Sequence, residues 1–378
     1  MDTVRQLAVE LSRKIVWGII LIIPLIFLSC KGEDNAVYDG IGSCDVNITH
    51  FEIRDGETIS VEDTLTTESM ETMPSQSVPV PIDTDSTRIL ILLSTLSEGS
   101  KISYYDTTGK ILGHWKRSEP LRNPQIVDDS LLLCTTIAYN PIGMLCNSKG
   151  ELIRKILFPL ETRWGINYET FGDYLFTVGF QDISDTTGIQ FNWTIGCYNR
   201  NNLEFISDAG GYPIRMYSFY FERLRVSPGP RMEFAARNDT IEGAFALYPV
   251  IFRHCIKTGE ETRWRVPIDD FTIPDLVENV RPDRKDLLLK QLARCGWSFQ
   301  YYANFVDDSL FIVFREHNPP YYIDLYNFKP DTHVYMGSVQ VKDGWQPVSS
   351  YKNRIVMLDR TLLLKQNRIK LQLAYLEL

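Results

Sequence analysis

The sequence predicts an all-β fold built from a repeated unit of about 45 residues, and three observations predict it. The pentapeptide VDDSL at 127–131 recurs at 306–310, an offset of 179 residues that is close to four such units. Several predicted strands, such as 89–93 and 131–134, are apolar at successive positions, which is typical of strands buried on both faces. Hairpins with turn residues follow most of these strands. Together these observations indicate a six-bladed β-propeller of four-stranded antiparallel blades, whereas a β-sandwich would favour apolar–polar alternation.

Six copies of a polar turn followed by an apolar strand can be aligned along the chain. Their strand sequences are ILILL, LLLCTTI, YLFTVGF, RMEFAA, LFIVF and RIVML. The turn of the fourth copy, at 227–230, departs from the period, because Gly229 lies 56 residues after Asp173 and 78 before Asp307. Insertions on both sides of this copy are therefore expected.

The hairpin behind most copies turns at Asn, Asp or Gly residues, which adopt the left-handed conformations that such turns need. The predicted turns are 106–109, 147–150, 199–201, 257–259 and 329–331. The second insertion is predicted as a short helical segment near 270–296. It carries a helical apolar stripe between Pro282 and Arg294, with Asp283 as its cap and Cys295-Gly296 at its end.

Residues 1–29 have the features of a secretory leader. Arg5, Arg13 and Lys14 precede an apolar run of fourteen residues, from Ile15 to Leu28. A run of this length fits a signal peptide better than a membrane span, which needs about 20 apolar residues. An uncleaved transmembrane anchor is the alternative.

The leader ends in Phe27-Leu28-Ser29-Cys30, which resembles the lipobox of bacterial lipoproteins. That resemblance implies that Cys30 carries the lipid, although Phe27 stands where the family has an aliphatic residue. The following Lys31-Gly32-Glu33-Asp34 resembles the tag that directs some Bacteroidetes lipoproteins to the outer face of the outer membrane. We therefore expect a lipid-anchored outer-membrane protein, exposed either to the periplasm or at the cell surface.

The mature chain divides into two parts. Residues 30–80 are acidic and rich in Thr, Ser and Glu, and they are predicted to be a flexible tether with an early strand at 48–53. Residues 81–378 are predicted to be the propeller. The formal net charge of −9, without a basic tract, argues against nucleic acid as a partner.

The six cysteines after Cys30 share no metal-binding spacing. Export permits disulfides, and Cys134 and Cys146 lie on consecutive predicted strands where they could pair. The other interpretation is that all six are buried small apolar residues.

The pattern over 85–378 resembles the six-bladed, TolB-like propeller lipoproteins of Bacteroidetes. The resemblance rests on the period of the repeat. It implies a closed ring of six blades and an extracytoplasmic site, but no common activity.

The sequence contains no HExxH, GxSxG, P-loop or GxGxxG motif, no two of its five histidines lie at metal-ligand spacing, and we expect no cofactor or metal. The paired acids at 128–129 and 307–308 could suggest calcium binding or acid–base catalysis. Their equivalent positions in two repeats favour a role as turn formers.

The candidate binding face carries the loops between second and third strands and the connections between blades. Both long insertions, at 181–191 and 268–297, fall there, as does the tetrapeptide ETRW, which occurs at 161–164 and again at 261–264. Trp and Arg are favoured at recognition surfaces, and loops on a rigid scaffold often carry function. The candidate residues are Trp115, Arg117, Arg163, Trp164, Arg263, Trp264 and Trp345. The alternative is that the tryptophans wedge between blades and the arginines pair locally.

The sequence favours a non-enzymatic binding or interaction propeller whose ligand is a glycan, a peptide or a protein. One alternative is a carbohydrate-active enzyme, a glycoside hydrolase or lyase, with carboxylates in the central pocket. Another is a structural subunit of an envelope complex.

Overall fold

A computed structural model describes residues 41–64, 82–95, 98–127, 131–136, 142–157, 168–182, 191–202, 204–211, 232–237, 239–246, 248–268, 271, 298–317, 320–328 and 333–378. The predicted leader, Cys30 and, apart from Phe271, the predicted helical segment near 270–296 lie outside these residues. The described part of the chain contains no helix that is long and apolar enough to cross a membrane.

The strands form six sheets, which we number as blades in chain order. The first blade contains β4 (Ile82–Thr84), β5 (Arg88–Thr95), β6 (Gly99–Asp106) and β7 (Ile111–Arg117). The second contains β8 (Leu121–Ile126), β9 (Leu131–Thr136), β10 (Ile142–Asn147) and β11 (Leu152–Leu157). The third contains β12 (Tyr168–Phe171), β13 (Tyr174–Asp182), β14 (Phe191–Asn199) and β15 (Phe205–Ala209).

The other three blades each include a strand from the N-terminal segment. The fourth contains β16 (Met232–Arg237), β17 (Thr240–Phe245), β18 (Val250–Cys255) and β19 (Glu261–Arg265), with β1 (Gly42–Ser43) at its edge. The fifth contains β20 (Ser298–Phe305), β21 (Leu310–His317), β22 (Tyr321–Phe328) and β23 (His333–Gln340), with β2 (Asp45–Val46) at its edge. The sixth contains β24 (Trp345–Tyr351), β25 (Arg354–Asp359), β26 (Arg368–Glu377) and β3 (Glu52–Thr64).

The first strands of the six blades, β4, β8, β12, β16, β20 and β24, contact one another in a closed ring. Each blade extends outward from this ring through antiparallel strands, and the N-terminal strands β1 and β2 add in parallel at the edges of the fourth and fifth blades. We call these first strands the inner strands. The predicted six-bladed β-propeller is therefore confirmed.

The core consists of apolar layers between neighbouring blades. In β5, Ile89 and Ile91 pack against the sixth blade, while the intervening Leu90 and Leu92 pack against the second. All four side chains are buried. Burial on both faces explains why the strand is apolar at successive positions.

The N-terminal segment closes the ring. β3 pairs antiparallel with β26 and places Ile59 opposite Leu371, so the first long strand of the propeller completes the last blade. Residues 42–64 are thus part of the propeller, although the sequence predicts a tether there. Of the β3 side chains whose burial is described, residues 52–61, only Ile59 and Val61 are buried, and an outermost strand with so few buried side chains has a weak sequence pattern.

The fourth repeat begins one strand later than predicted. The predicted strand RMEFAA is β16, an inner strand, whereas the predicted strands of the other five copies are second strands. The equivalent strand is β17, and Asp239, at a positive φ of 62°, lies in the turn before it. Asp239 lies 66 residues after Asp173 and 68 before Asp307, which makes the two insertions nearly equal.

Asx turns shape the hairpins. Asp106 Oδ1 accepts hydrogen bonds from the backbone N–H groups of Thr108 and Lys110, both at 2.9 Å. Asp307 Oδ1 likewise accepts from Ser309 and Leu310, which confirms its predicted role as a turn former. Four of the five predicted hairpin turns are confirmed, and the fifth, at 329–331, lies outside the described residues.

A short helix that the sequence does not predict, α1 (Arg360–Gln366), joins β25 to β26. Asp359 caps its start by accepting from the Leu362 backbone N–H, and Asn367 ends it in the left-handed conformation. Leu363 is the helix residue that packs into the core. A helix of seven residues with one buried side chain has no recognisable periodic pattern.

Candidate functional site

The inner strands line the centre of the propeller and carry an unusual set of polar side chains. An inner strand is the edge of its sheet, so part of its backbone has no strand partner. Asp83, Gln125, Glu169, Tyr302 and Asn304 lie on four of these strands. Each retains some accessible surface although it lies deep in the fold. We call the polar centre that these inner-strand side chains border the central channel.

Asp83, on β4, joins three blades. Its Oδ2 accepts a hydrogen bond of 2.6 Å from the backbone N–H of Ile126 in the second blade. Its Oδ1 lies 3.5 Å from the hydroxyl of Ser349 in the sixth blade. Burial raises the pKa of Asp83 to about 6, with these hydrogen bonds opposing the rise.

Glu169, on β12, is the second carboxylate of the channel. It accepts a hydrogen bond from the backbone of Ala236 in the fourth blade. Burial raises its pKa to about 8, and the charge of Asp83 contributes to the rise. At neutral pH Glu169 therefore holds its proton while Asp83 is mostly ionised.

Tyr302, on β20, is the third hydrogen-bonding residue of the inner strands, after Asp83 and Glu169. Its hydroxyl accepts from the backbone N–H of Ser350 at 2.9 Å and from Asn304 Nδ2 at 3.0 Å. Its ring stacks on Phe314, with the ring centroids 4.7 Å apart. Burial raises the pKa of Tyr302, and the charge of Asp83 adds to the rise, so Asp83 influences both other groups.

These contacts repeat in alternate blades. A side chain on the first, third and fifth inner strands accepts a backbone hydrogen bond from the inner strand of the next blade: Asp83 from Ile126, Glu169 from Ala236, and Tyr302 from Ser350. The three residues thus link six inner strands in pairs. The arrangement stabilises the ring and concentrates hydrogen-bonding groups at its centre.

Part of this hydrogen-bonding capacity is unused. Glu169 Oε2 and Gln125 Oε1 are buried and have no hydrogen-bond partner within the described residues. An unpaired buried polar atom costs free energy, so such atoms in a native fold call for an explanation, such as a ligand. Two carboxylates with separated pKa values are also a feature of acid–base sites.

Four of the sequence-predicted site residues lie away from the inner strands. Two of them, Trp115 and Arg117, lie between the first two blades. Trp115 is buried in the apolar layer there, against the backbone of Gly150. Arg117 pairs with Glu119 at 3.2 Å and donates to the carbonyl oxygen of Gly150 at 3.1 Å.

Trp264 and Arg263, on β19, contact two different neighbouring segments. The Trp264 ring stacks on His333 of the fifth blade, with centroids 3.5 Å apart. Arg263 pairs with Glu261 and donates to the carbonyl oxygen of Gly211 at 2.6 Å. Burial lowers the pKa of His333 to about 2, so the stacked imidazole is neutral.

Trp345 begins the inner strand β24 and is partly buried, with Lys370 Nζ 5.6 Å from the centre of its ring. Arg163 and Trp164 lie outside the described residues. Of the predicted set within the described part, only Trp345 belongs to an inner strand, and the structure does not bring it together with the other four.

Asp83, Glu169 and Tyr302 are not among the site residues predicted from the sequence. A usable signal was present for Asp83 and Glu169, since each stands a few residues before the turn that opens its repeat, Asp83 before Asp85 and Glu169 before Asp173. The convergence of the three residues depends on ring closure.

Five cysteines lie within the described residues, and all are free thiols. Cys134 and Cys146 share the apolar layer between the first two blades, and burial raises the pKa of both. The interpretation as buried apolar residues holds for them, for Cys44 and for Cys197, whereas Cys255 is partly exposed.

Comparison with known proteins supports the fold. No protein-family model matches the chain, and no curated protein matches it. A Bacteroides fragilis protein described as exported has a similar structure at 11% identity and a TM-score of 0.52, over 89% of this chain and 99% of its own. This likeness is one of fold, and it agrees with the propeller.

Two further solved structures have lower scores. The WD40 domain of Toxoplasma gondii coronin has 9% identity and a TM-score of 0.48 over 88% of each chain. BamB of Moraxella catarrhalis has 9% identity and a TM-score of 0.40, covering 86% of this chain and 100% of its own.

Proposed function

We propose that this protein is a binding propeller that takes a small hydrogen-bonding ligand, or the end of a longer one, in its central channel. The observation that carries the proposal is the pair of unpartnered buried oxygens, Glu169 Oε2 and Gln125 Oε1, on inner strands beside Asp83. A bound ligand would satisfy both atoms.

The channel is rich in acceptors, which limits the class of ligand. Asp83 carries negative charge at neutral pH, and Gln125 offers a carbonyl oxygen, while the proton held by Glu169 is a donor. A ligand with several hydroxyl groups matches this mixture, whereas an anionic ligand would be repelled by Asp83. We therefore favour a neutral glycan.

Trp345 supports the same class of ligand. It is the first residue of an inner strand, at the face of the propeller where the connections between blades enter. Aromatic rings present large contact areas at binding sites, and Trp is enriched among energetically dominant residues. We propose that Trp345 stacks on a sugar ring at the mouth of the channel.

The test is a thermal-shift screen of the full chain in detergent against neutral oligosaccharides, acidic oligosaccharides and peptides. A ligand that binds only the folded state raises the melting temperature. We expect a shift with a neutral oligosaccharide that is lost in Glu169→Ala, in Gln125→Ala and in Trp345→Ala. Glu151→Gln, at an exposed carboxylate of the second blade, is the control and should retain the shift. Absence of any shift, or a shift that all three channel variants retain, would refute the proposal.

A carbohydrate-active enzyme is a second candidate, which the separated pKa values of Asp83 and Glu169 favour. A protonated Glu169 and an ionised Asp83 provide the acid and the base that glycoside cleavage requires. The discriminating measurement is the release of new reducing ends from an oligosaccharide that binds. Release that Glu169→Gln abolishes would establish the enzyme, and binding without release would exclude it for that substrate.

We propose further that the protein is an envelope lipoprotein attached through Cys30. The support is the leader and the Ser29-Cys30 junction, together with a structural likeness to a Bacteroides protein described as exported. Metabolic labelling with an alkyne fatty acid should label the chain and should fail with Cys30→Ser. Protease treatment of intact cells would then distinguish a periplasmic domain from a surface-exposed one.

A further inference from the structure

The outer strands of the first three blades share an unusual feature. In each, the second residue is a β-bulge with no partner on the neighbouring strand: Leu112 in β7, Ile153 in β11 and Ile206 in β15. These side chains are 53%, 55% and 43% exposed. We call the starts of these three strands the apolar rim.

The rim is a regular surface. Of the ten large apolar side chains exposed in the described part of the chain, six occupy the first two positions of these strands: Ile111, Leu112, Leu152, Ile153, Phe205 and Ile206. Proteins usually protect sheet edges with charges or short strands, and exposed apolar patches mark interaction sites. Three equivalent apolar bulges in consecutive blades therefore indicate a binding surface.

The fifth blade shows how such a bulge is bound. Its outer strand β23 has a bulge at Met336, two residues further along the strand than the bulges of the first three blades. There the N-terminal strap, residues 42–51, runs along the edge: β2 pairs parallel with Val334 and Tyr335, and the backbone N–H of Thr49 donates to the Met336 carbonyl oxygen at 2.9 Å.

The strap pairs with the fourth and fifth blades through β1 and β2, and the chain then continues into β3 of the sixth blade. Within the described residues, β7, β11 and β15 are the last strands of the sheets in the first three blades. Their edges therefore offer an extended chain the same backbone groups that the strap uses in the other half of the propeller.

Charge indicates the chemistry of the partner. Five exposed basic residues lie on or beside β7 and β11: Lys110, Lys116, Lys149, Arg154 and Lys155. Glu151 is the exposed carboxylate in these two hairpins, although the whole chain has a net charge of −9, whereas the β15 edge carries the exposed acids Glu204 and Asp208. Acidic side chains on the part of the partner that contacts β7 and β11 would complement the local positive charge there.

We propose that the apolar rim binds an extended segment of a partner protein, with apolar and acidic residues, that adds to β7, β11 and β15 as the strap adds to β19 and β23. Strand addition supplies backbone hydrogen bonds, and the apolar bulges supply specificity.

A lipid surface is a poorer match for the same residues. The polar turns 107–110 and 148–151 lie between the apolar bulges and the end of the propeller, so a membrane at that end would meet the turns first. The three bulges also lie on different blades around the circumference of the propeller. An extended chain can follow the circumference from one blade edge to the next, whereas a flat membrane surface cannot.

The probe is a fluorescent peptide with the sequence of residues 42–51 and Cys44→Ser, titrated against the full chain in detergent. The rim variant combines Leu112→Asp, Ile153→Asp and Ile206→Asp. The matched control is Leu364→Asp, at a 58% exposed residue of α1. We expect the rim variant to bind the peptide about tenfold more weakly, because it loses the cross-strand contacts of three apolar side chains with the peptide. The control should bind with the affinity of the wild type. Thermal melts establish that both variants are folded.

Hydrogen exchange locates the peptide. We expect saturating peptide to protect amides of β7, β11 and β15, and a peptide with N-methylated backbone amides to protect none of them. Protection confined to β19 and β23 would overturn the proposal, because the peptide would then only be replacing the strap.

Two other outcomes would also overturn it. Protection of the three strands by phosphatidylglycerol vesicles, with none by peptide, would assign the rim to a membrane. A concentration-dependent dimer that the rim variant abolishes, in a chain that does not bind the peptide, would assign it to a second copy.

Discussion

Asp83 in the first blade accepts a hydrogen bond of 2.6 Å from the backbone N–H of Ile126, which follows 43 residues later in the second blade. This contact links two inner strands that belong to different sheets. It is one of three such links around the channel. In each link, the accepting side chain both holds two inner strands together and is a candidate ligand contact.

Removing the Asp83 acceptor should therefore destabilise the propeller. In Asp83→Ala the Ile126 N–H loses its partner, which costs about 1–3 kcal/mol in the free energy of unfolding. Asp83→Asn keeps an acceptor and should be close to the wild type in denaturant unfolding at pH 7. Asp55→Ala, at an exposed acid of β3, is the control. Equal losses in the Ala and Asn variants would contradict the role of this hydrogen bond.

Glu169 should make stability depend on pH. Its pKa is raised in the folded state from 4.5 to about 8, so the unfolded chain releases this proton at lower pH than the folded one. Stability should fall by about 1.4 kcal/mol per pH unit between these two values and level off above pH 8. The free energy of unfolding of Glu169→Gln should vary less with pH across that window. At the upper end of the window this variant should be more stable than the wild type.

Urea melts at half-unit pH steps measure this difference. A wild type and a Glu169→Gln variant with parallel profiles between pH 5 and pH 8 would show that the pKa of Glu169 is ordinary in the folded state.

The fully buried pair of Arg315 and Asp324 in the fifth blade should be sensitive to single substitutions. Arg315 Nε lies 2.8 Å from Asp324 Oδ2. Arg315→Met leaves a buried carboxylate without its main partner, which should cost about 3–5 kcal/mol. The double variant Arg315→Met with Asp324→Leu should recover much of this loss, and a double variant as unstable as the single one would contradict the explanation.

An exposed ion pair provides the comparison. Arg54 and Glu377 lie 2.9 Å apart with side chains 63% and 41% exposed. Arg54→Ala should change stability by less than about 1 kcal/mol, because solvent screens such pairs.

A side chain at Gly150 should destabilise the fold, because it would clash with Trp115. Its φ is +81°, and an added Cβ would lie 2.5 Å from the Trp115 ring. Gly150→Ala should cost about 1–3 kcal/mol more than Gly259→Ala, which has a φ of +71° in the equivalent turn of the fourth blade and no atom within 4 Å of an added Cβ. Differential scanning calorimetry would detect the difference, and equal losses would show that Trp115 moves aside freely.

Ile59 tests whether the N-terminal strand is part of the core. It is 1% exposed and packs between the sixth and first blades. Ile59→Ala should cost about 2–4 kcal/mol, whereas the neighbouring exposed Ser60→Ala should change stability by less than about 0.5 kcal/mol. A neutral Ile59→Ala would favour the tether that the sequence predicts for this segment.

The sequence by itself determined the features that depend on residues close together in the chain. The period of the repeat, the Asx turns at Asp106 and Asp307, and the burial of 89–92 on both faces are local patterns, and they predicted six blades correctly. Only the tertiary structure decided which strand closes the ring, since β3 pairs with β26 about 300 residues away through backbone groups that any sequence supplies. It also decided the channel: Asp83, Glu169 and Tyr302 come from three repeats and share one site only because the inner strands converge on one axis.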